Sequence, residues 1–154
     1  MYAIRIDSAA QKLQAFTAQM PVPTASEVLI HVAYAGVNRA DLLQVEGRYP
    51  LPEAHQMIAG LEVSGIVEAV GASVAHLRVG DAVCALLEGG GYAEYVAVDA
   101  GLCLLLSDDV AYSLPIFAAL PEALATSWYA LKELAGLQAG DRVLIHGGAS
   151  GVGS

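Results

Sequence analysis

Between Glu27 and Leu106 the chain is divided into short segments in which apolar, often β-branched, residues recur at every second position, with glycines between them. In Glu27–Ala35, Val28, Ile30 and Val32 alternate with Leu29, His31 and Ala33. Glu62–Val70 closes at Gly71, and Val79-Gly80-Asp81 turns into Ala82–Leu87. After the run Gly89–Gly91 come Tyr92–Val98 and Leu102–Leu106. A period of two fits a half-buried strand and does not fit a helix. Two more short strands are predicted at 2–6 and 12–18, ahead of Pro21 and Pro23. Many short strands, with turn signals every ten or so residues, point to a β-rich barrel or sandwich.

One short helix interrupts the strands. Asn38 is placed as an N-cap, Asp41 supplies negative charge in the first turn, Leu42, Leu43 and Val45 follow, and Gly47 ends it. From about Ile116 the character changes. Glu122–Ala135 is rich in Ala and Leu, starts behind Pro121 and stops at Gly136, as a helix would. The turn Ala139-Gly140-Asp141, similar to Val79-Gly80-Asp81, leads into Arg142–Gly147, predicted as an apolar strand. Gly148-Ala-Ser-Gly-Val-Gly-Ser follows. A strand feeding a glycine turn is how a dinucleotide-binding unit begins, with the amides of the next helix holding the pyrophosphate. The turn is no P-loop, because Ser154 stands where the lysine would be.

Bulk properties narrow the classes further. The 154 residues suffice for one good core. At 56% hydrophobic and 15% charged the chain is more apolar than an ordinary soluble domain, and some of that excess is expected to face other chain. A formal charge of −9 argues against nucleic acid and against anionic membranes as partners. The stretch Ala111–Leu131 is interrupted by Pro115, Pro121 and Glu122 and does not read as a membrane span. Cys84 and Cys103 sit in apolar runs and read as buried free thiols of a reducing cytoplasm.

Several segments in order carry a resemblance: Ala35-Gly-Val-Asn-Arg-Ala-Asp41, Gly47-Arg-Tyr-Pro50, Gly60-Leu-Glu-Val-Ser-Gly65 and Arg78-Val-Gly-Asp81. Gly90-Gly-Tyr-Ala-Glu-Tyr-Val96, Leu120-Pro-Glu-Ala123, Gly140-Asp141 and Ser150-Gly-Val-Gly153 complete the series. Together they resemble the medium-chain dehydrogenase/reductase superfamily, specifically its zinc-free NADPH-dependent quinone oxidoreductases. The resemblance implies a fold that is mainly β with α. A GroES-like β-barrel catalytic domain would occupy residues 1–120. The first helix, strand and glycine turn of a truncated Rossmann domain would occupy 121–154. It also implies NADPH as cofactor, a quinone or α,β-unsaturated carbonyl compound as substrate, and a homodimer for the parent enzyme. The zinc-dependent cousins have a cysteine where this chain has Asn38 and a histidine where it has Leu61. An amide is a poor zinc ligand and a leucine is none. His31, His55, His76 and His146 are scattered, so no metal is expected.

Without metal, a substrate carbonyl must be polarised by hydrogen bonds or positioned beside the nicotinamide. Asn38 is one catalytic candidate, able to donate to a substrate or to the cofactor; plain helix capping is the alternative. Tyr49 is the other. Its Gly-Arg-Tyr-Pro setting is similar to that of the proton-donating tyrosine of enoyl-thioester reductases. By resemblance Thr126 contacts the nicotinamide end, against the alternative of a hydroxyl bonded within its own helix. Ser150, Gly151, Val152 and Gly153 would approach the pyrophosphate. Glu62 and Asp41 read as braces for nearby backbone turns. Gly89–Gly91 is either a close approach to the nicotinamide or an ordinary hairpin. The reading is an NADPH-dependent reductase whose 154-residue portion is inactive alone. An enoyl-thioester reductase and a free-standing GroES-like binding module are the rivals.

Overall fold

The computed structural model describes residues 1–7, 10–49, 58–107 and 113–154, so Pro50, His55 and Ala111 of the sequence reading lie outside the described residues. The alternating segments become strands. β1 (Tyr2–Asp7) and β2 (Lys12–Thr17) form an antiparallel hairpin. A second sheet contains β3 (Glu27–Ala35), β4 (Glu62–Val70), β5 (Ala82–Leu86), β6 (Tyr95–Asp99) and β7 (Cys103–Leu105). It is antiparallel throughout, in the order β6-β3-β4-β5-β7.

Residues 92–94, expected as the start of β6, instead tie the hairpin to the larger sheet. Ile4 N donates to Tyr92 O at 2.8 Å, Glu94 N to Tyr2 O at 3.1 Å, and Val32 N to Glu94 O at 2.9 Å. A segment that bonds to both sheets cannot stay in register with one of them, so β6 proper begins at Tyr95. Gly89–Gly91 serves the same junction. Gly90 N and Gly91 N donate to Ile58 O and Gly60 O at 2.9 and 3.0 Å.

The period of two has its expected consequence in the core. Val28, Ile30, Val63, Val67, Val83, Ala85, Val96 and Val98 belong to one buried cluster. The opposite face of β4 and β5 is buried as well, at Glu62, Ser64 and Cys84. Two helices cover it: α2 (Leu114–Phe117) and α3 (Pro121–Trp128). Ser64 Oγ donates to Leu114 O at 2.6 Å, pinning α2 to the sheet. Burial, first among the causes, pushes the Cys84 thiol up to about 11 and that of Cys103 to about 12. Both are free and buried, hence poor nucleophiles.

The helix after Asn38 forms as expected. Asn38 is extended at φ −115°, α1 runs Arg39–Val45, and Gly47 follows at φ +69°. The predicted helix over 122–135 is α-helical only to Trp128. It continues as a π-helix over Tyr129–Leu134, and Gly136 ends it at φ +63°. α2 has no counterpart in the sequence reading, because four residues are too few to show a period.

The two Gly-Asp turns are the same device. Arg78 N and Gln138 N donate to the carboxylates of Asp81 and Asp141 at 2.8 and 2.7 Å. The Asp amides return to Arg78 O and Gln138 O, and Gly80 and Gly140 both sit at φ +94°.

A further expectation fails. Arg142–Gly147 is not a strand: residues 141–145 have no regular secondary structure, and Leu144 is 81% exposed. A strand exists by pairing, and among the described residues no strand pairs with it. Its apolar side chains lie beside α3 instead. Val143–His146 line a cavity of about 330 Å³ with Thr126, Ala130 and Leu131. Residues 147–154 make successive turns, with Ser150 N on Gly147 O at 2.8 Å and Gly153 N on Ser150 O at 3.1 Å. Ser127 Oγ holds them to α3 through Val152 O at 3.2 Å.

Candidate active site

A cleft of about 410 Å³ lies between the sheet and the glycine turn. Asn38 and Arg39 enter it from the start of α1, Glu62 from the start of β4, Glu122 and Thr126 from α3, and Ser150, Gly151 and Val152 from the terminal turns. Residues up to 114 positions apart are thus gathered because α1 leaves β3 at the same end of the sheet at which β4 begins. α3 crosses that end.

Glu62 is the centre of the polar contacts. It is 2% exposed, yet both carboxylate oxygens are used. Asn38 Nδ2 donates to Oε1 at 2.7 Å, and the Glu122 backbone N–H donates to Oε2 at 3.0 Å. Room for the carboxylate comes from Gly36. A Cβ on residue 36 would overlap Glu62 Oε1 and the carbonyl oxygen of Ala118. A second carboxylate supports Asn38 from behind. Asp41 Oδ2 accepts from Asn38 N at 2.6 Å and from Tyr92 Oη at 3.0 Å. The Tyr92 hydroxyl is pushed up by burial first, then by the charges of Asp41 and Glu62. Asp41 Oδ1 and the Gln44 side-chain amide, one helical turn on, are buried without a hydrogen-bond partner among the described residues.

Glu122 responds to this negative surrounding. Its carboxyl is raised above the ordinary 4.5 by desolvation first, then by Glu62 and Asp41. A raised folded-state value means that the folded chain holds this proton more tightly than the unfolded chain does. Stability is therefore lost as pH rises from about 4.5 through the raised value. Glu122→Gln removes that penalty. Thermal unfolding should show the variant more stable than the parent at neutral pH, with the gain disappearing below about pH 4.5.

The candidates sort as follows. Asn38, Thr126, Ser150, Gly151 and Val152 line the one cleft, while Gly153 lines the adjoining cavity with Thr126, Ser150 and Val152. Tyr49 does not line the cleft; it is 44% exposed on the segment after α1. Gly89–Gly91 does not line it either. Glu62 and Asp41 are braces, as read from sequence, but Glu62 braces the candidate Asn38 itself. Glu122 carries no functional signal in the sequence, where it only opens the helix behind Pro121.

The cleft's lining can be tested against a nicotinamide. A Cβ at Gly151 would meet nothing within 4 Å, so the backbone is open to close approach. Gly153 is needed for the turn, where a Cβ would overlap Gly147 O. Amide, hydroxyl and open backbone fit the nicotinamide end of a dinucleotide. Among the described residues no group of three His, Cys, Asp or Glu side chains could hold a metal ion. No helix among them is long and apolar enough to cross a membrane.

The family described as alcohol dehydrogenase GroES-like domain matches residues 24–108. A mycocerosic acid synthase-like polyketide synthase of Mycobacterium tuberculosis is 38% identical over 131 residues, 85% of this chain and 6% of the synthase. The CurK enoyl reductase structure superposes with TM-score 0.84 at 30% identity, covering 99% of this chain and 48% of that one. A Pseudomonas syringae quinone oxidoreductase gives 0.83 at 28% identity, covering 99% and 47%. A mycobacterial protein solved in complex with NADPH gives 0.82 at 33%, again covering 99% and 47%. The chain thus spans about half the length of the structures it matches and a small part of the synthase. By the family match over 24–108 and the shared fold, this chain belongs to the alcohol dehydrogenase GroES-like domain family, within the medium-chain dehydrogenase/reductase superfamily.

Proposed function

We propose that the chain supplies the substrate wall and the opening of the cofactor site of a metal-independent, NADPH-dependent oxidoreductase. The substrate is a conjugated carbonyl compound, either a quinone or an α,β-unsaturated carbonyl. In this reading residues 1–120 are the catalytic unit and 121–154 open the dinucleotide-binding unit. The observation that carries it is the convergence of Asn38, Thr126 and Ser150–Val152 on one cleft. Asn38, where the resemblance implies a zinc ligand in the zinc-dependent cousins, donates to a carboxylate instead.

A bound reduced nicotinamide would supply the hydride. The chain's own residues would do the rest. With one N–H of Asn38 taken by Glu62 and Oδ1 turned to the first turn of α1, the other N–H remains to orient a substrate oxygen or the carboxamide oxygen of the cofactor. Thr126 would hold the cofactor's nicotinamide end, and the open backbone at Gly151 would approach its pyrophosphate. Tyr49 stands outside the cleft and would have to be brought inward with its loop to act as a proton donor. Relatives named as an enoyl reductase, a quinone oxidoreductase and a polyketide synthase support a conjugated acceptor without choosing its class.

The test is NADPH oxidation by the complete protein encoded by the gene, with a benzoquinone and with a crotonyl-type thioester. Turnover of one of them is expected, and Asn38→Ala should lower kcat/KM about 100-fold. Failure to oxidise NADPH with either acceptor would refute the reading. For residues 1–154 alone, a cleft of about 410 Å³ has room for the nicotinamide end but not the whole dinucleotide. Binding followed by Trp128 fluorescence should then be weaker than about 1 mM.

A further inference from the structure

Glu62 contributes more than a buried charge. A carboxylate within the sheet is costly unless each oxygen is satisfied, and here the two donors come from different parts of the chain. Asn38 precedes α1, on the substrate side of the cleft. Glu122 N–H belongs to the first turn of α3, which carries Thr126. We propose that Glu62 is the positioning residue of the cleft, with one carboxylate holding the Asn38 amide on Oε1 and the start of α3 on Oε2. The substrate-side amide and the cofactor-side helix are thereby set in a single frame. This rests on reading the cleft as the substrate and nicotinamide site.

Three features of the chain converge on that role. Gly36 is empty where a side chain would displace the carboxylate. Glu62 is in register opposite Leu86 in the middle strands of the sheet, so its backbone cannot drift. A carboxylate only accepts, so it fixes the sense of the Asn38 amide: nitrogen towards Glu62, with Oδ1 turned to the backbone N–H of Asp41 in the first turn of α1. A glutamine at the same place could not do this. It has one accepting oxygen and one donating nitrogen. Glu62→Gln must therefore release the Asn38 N–H, release the Glu122 N–H, or turn the Asn38 amide over so that its oxygen receives the new NH₂.

The experiment is nuclear magnetic resonance on the chain without ligand, so that its outcome does not depend on any enzymatic activity. In the parent, coupling across the hydrogen bond between Asn38 Nδ2 and the Glu62 carboxyl carbon is expected. The Glu122 amide should be protected from exchange. In Glu62→Gln that coupling should vanish or the Glu122 amide should exchange about tenfold faster, while Val63 and Val67 amides in β4 keep their parental rates. Absence of the coupling in the parent overturns the proposal, even if the variant fails to fold. So does a folded Glu62→Gln variant in which both bonds persist. If these signatures are as expected but the complete protein oxidises no NADPH, the frame stands and the oxidoreductase reading falls.

Discussion

Ile30→Ala is expected to lower the free energy of unfolding by about 2–5 kcal/mol, enough to consume a large part of a typical domain's stability. Ile30 is fully buried at 0% exposure, on the strand that pairs with both β4 and β6. Its neighbours in the cluster Val28, Val63 and Val83 belong to strands held from both sides, and Val96 pairs directly with it across the β3–β6 ladder. A ladder fixed in this way cannot move inward to fill a lost side chain, so most of the cavity remains. Urea unfolding with an unchanged slope would measure the loss, and Ile30→Val should cost only about 0.5–1.5 kcal/mol. A loss under about 1 kcal/mol for the alanine variant would mean that the centre of the sheet collapses easily, contrary to the register described.

Gly36→Ala is expected to destabilise by about 1–3 kcal/mol, and its effect should be concentrated in the cleft. The added methyl overlaps Glu62 Oε1 on one side and the Ala118 carbonyl on the other. Neither yields cheaply: the first belongs to a carboxylate held by a donor on each oxygen, the second is backbone. Displacing Glu62 releases Asn38 Nδ2 and the Glu122 N–H together. Combining Gly36→Ala with Glu62→Ala should therefore cost less than the sum of the two single changes, because the methyl no longer meets a carboxylate. Gly148→Ala is the control. A Cβ there meets nothing within 4 Å, and a change within about 0.5 kcal/mol is expected. Additive effects of Gly36→Ala and Glu62→Ala would show that residue 36 has no part in seating the carboxylate.

The largest gap between sequence and structure is at residues 142–147. Composition and the preceding Gly-Asp turn both favour a strand there, and the turn itself is formed as expected. The strand is absent because its hydrogen-bonding partners must come from other segments, and no described segment provides them. Propensity proposes a strand; pairing makes one. The reverse holds for α2, which the local sequence gives no reason to expect. Its position depends on a single long-range bond from Ser64 Oγ and on the covered face of β4.

From the order of residues alone came everything set by local period and by backbone chemistry. The strands β1–β7, the helix behind Asn38 and the paired Gly-Asp turns are all of this kind. These follow from interactions among near neighbours and from glycines whose φ no other residue takes readily. Tertiary structure alone decided that Glu62 would serve Asn38 and Glu122 at once, that Glu122 would face the cleft, and that Tyr49 would stand apart from it. The physical reason is sequence distance. Those contacts span 24 and 60 positions. Only the crossing of α3 over the end of the sheet, closed around a carboxylate with two oxygens to fill, brings them within hydrogen-bonding reach.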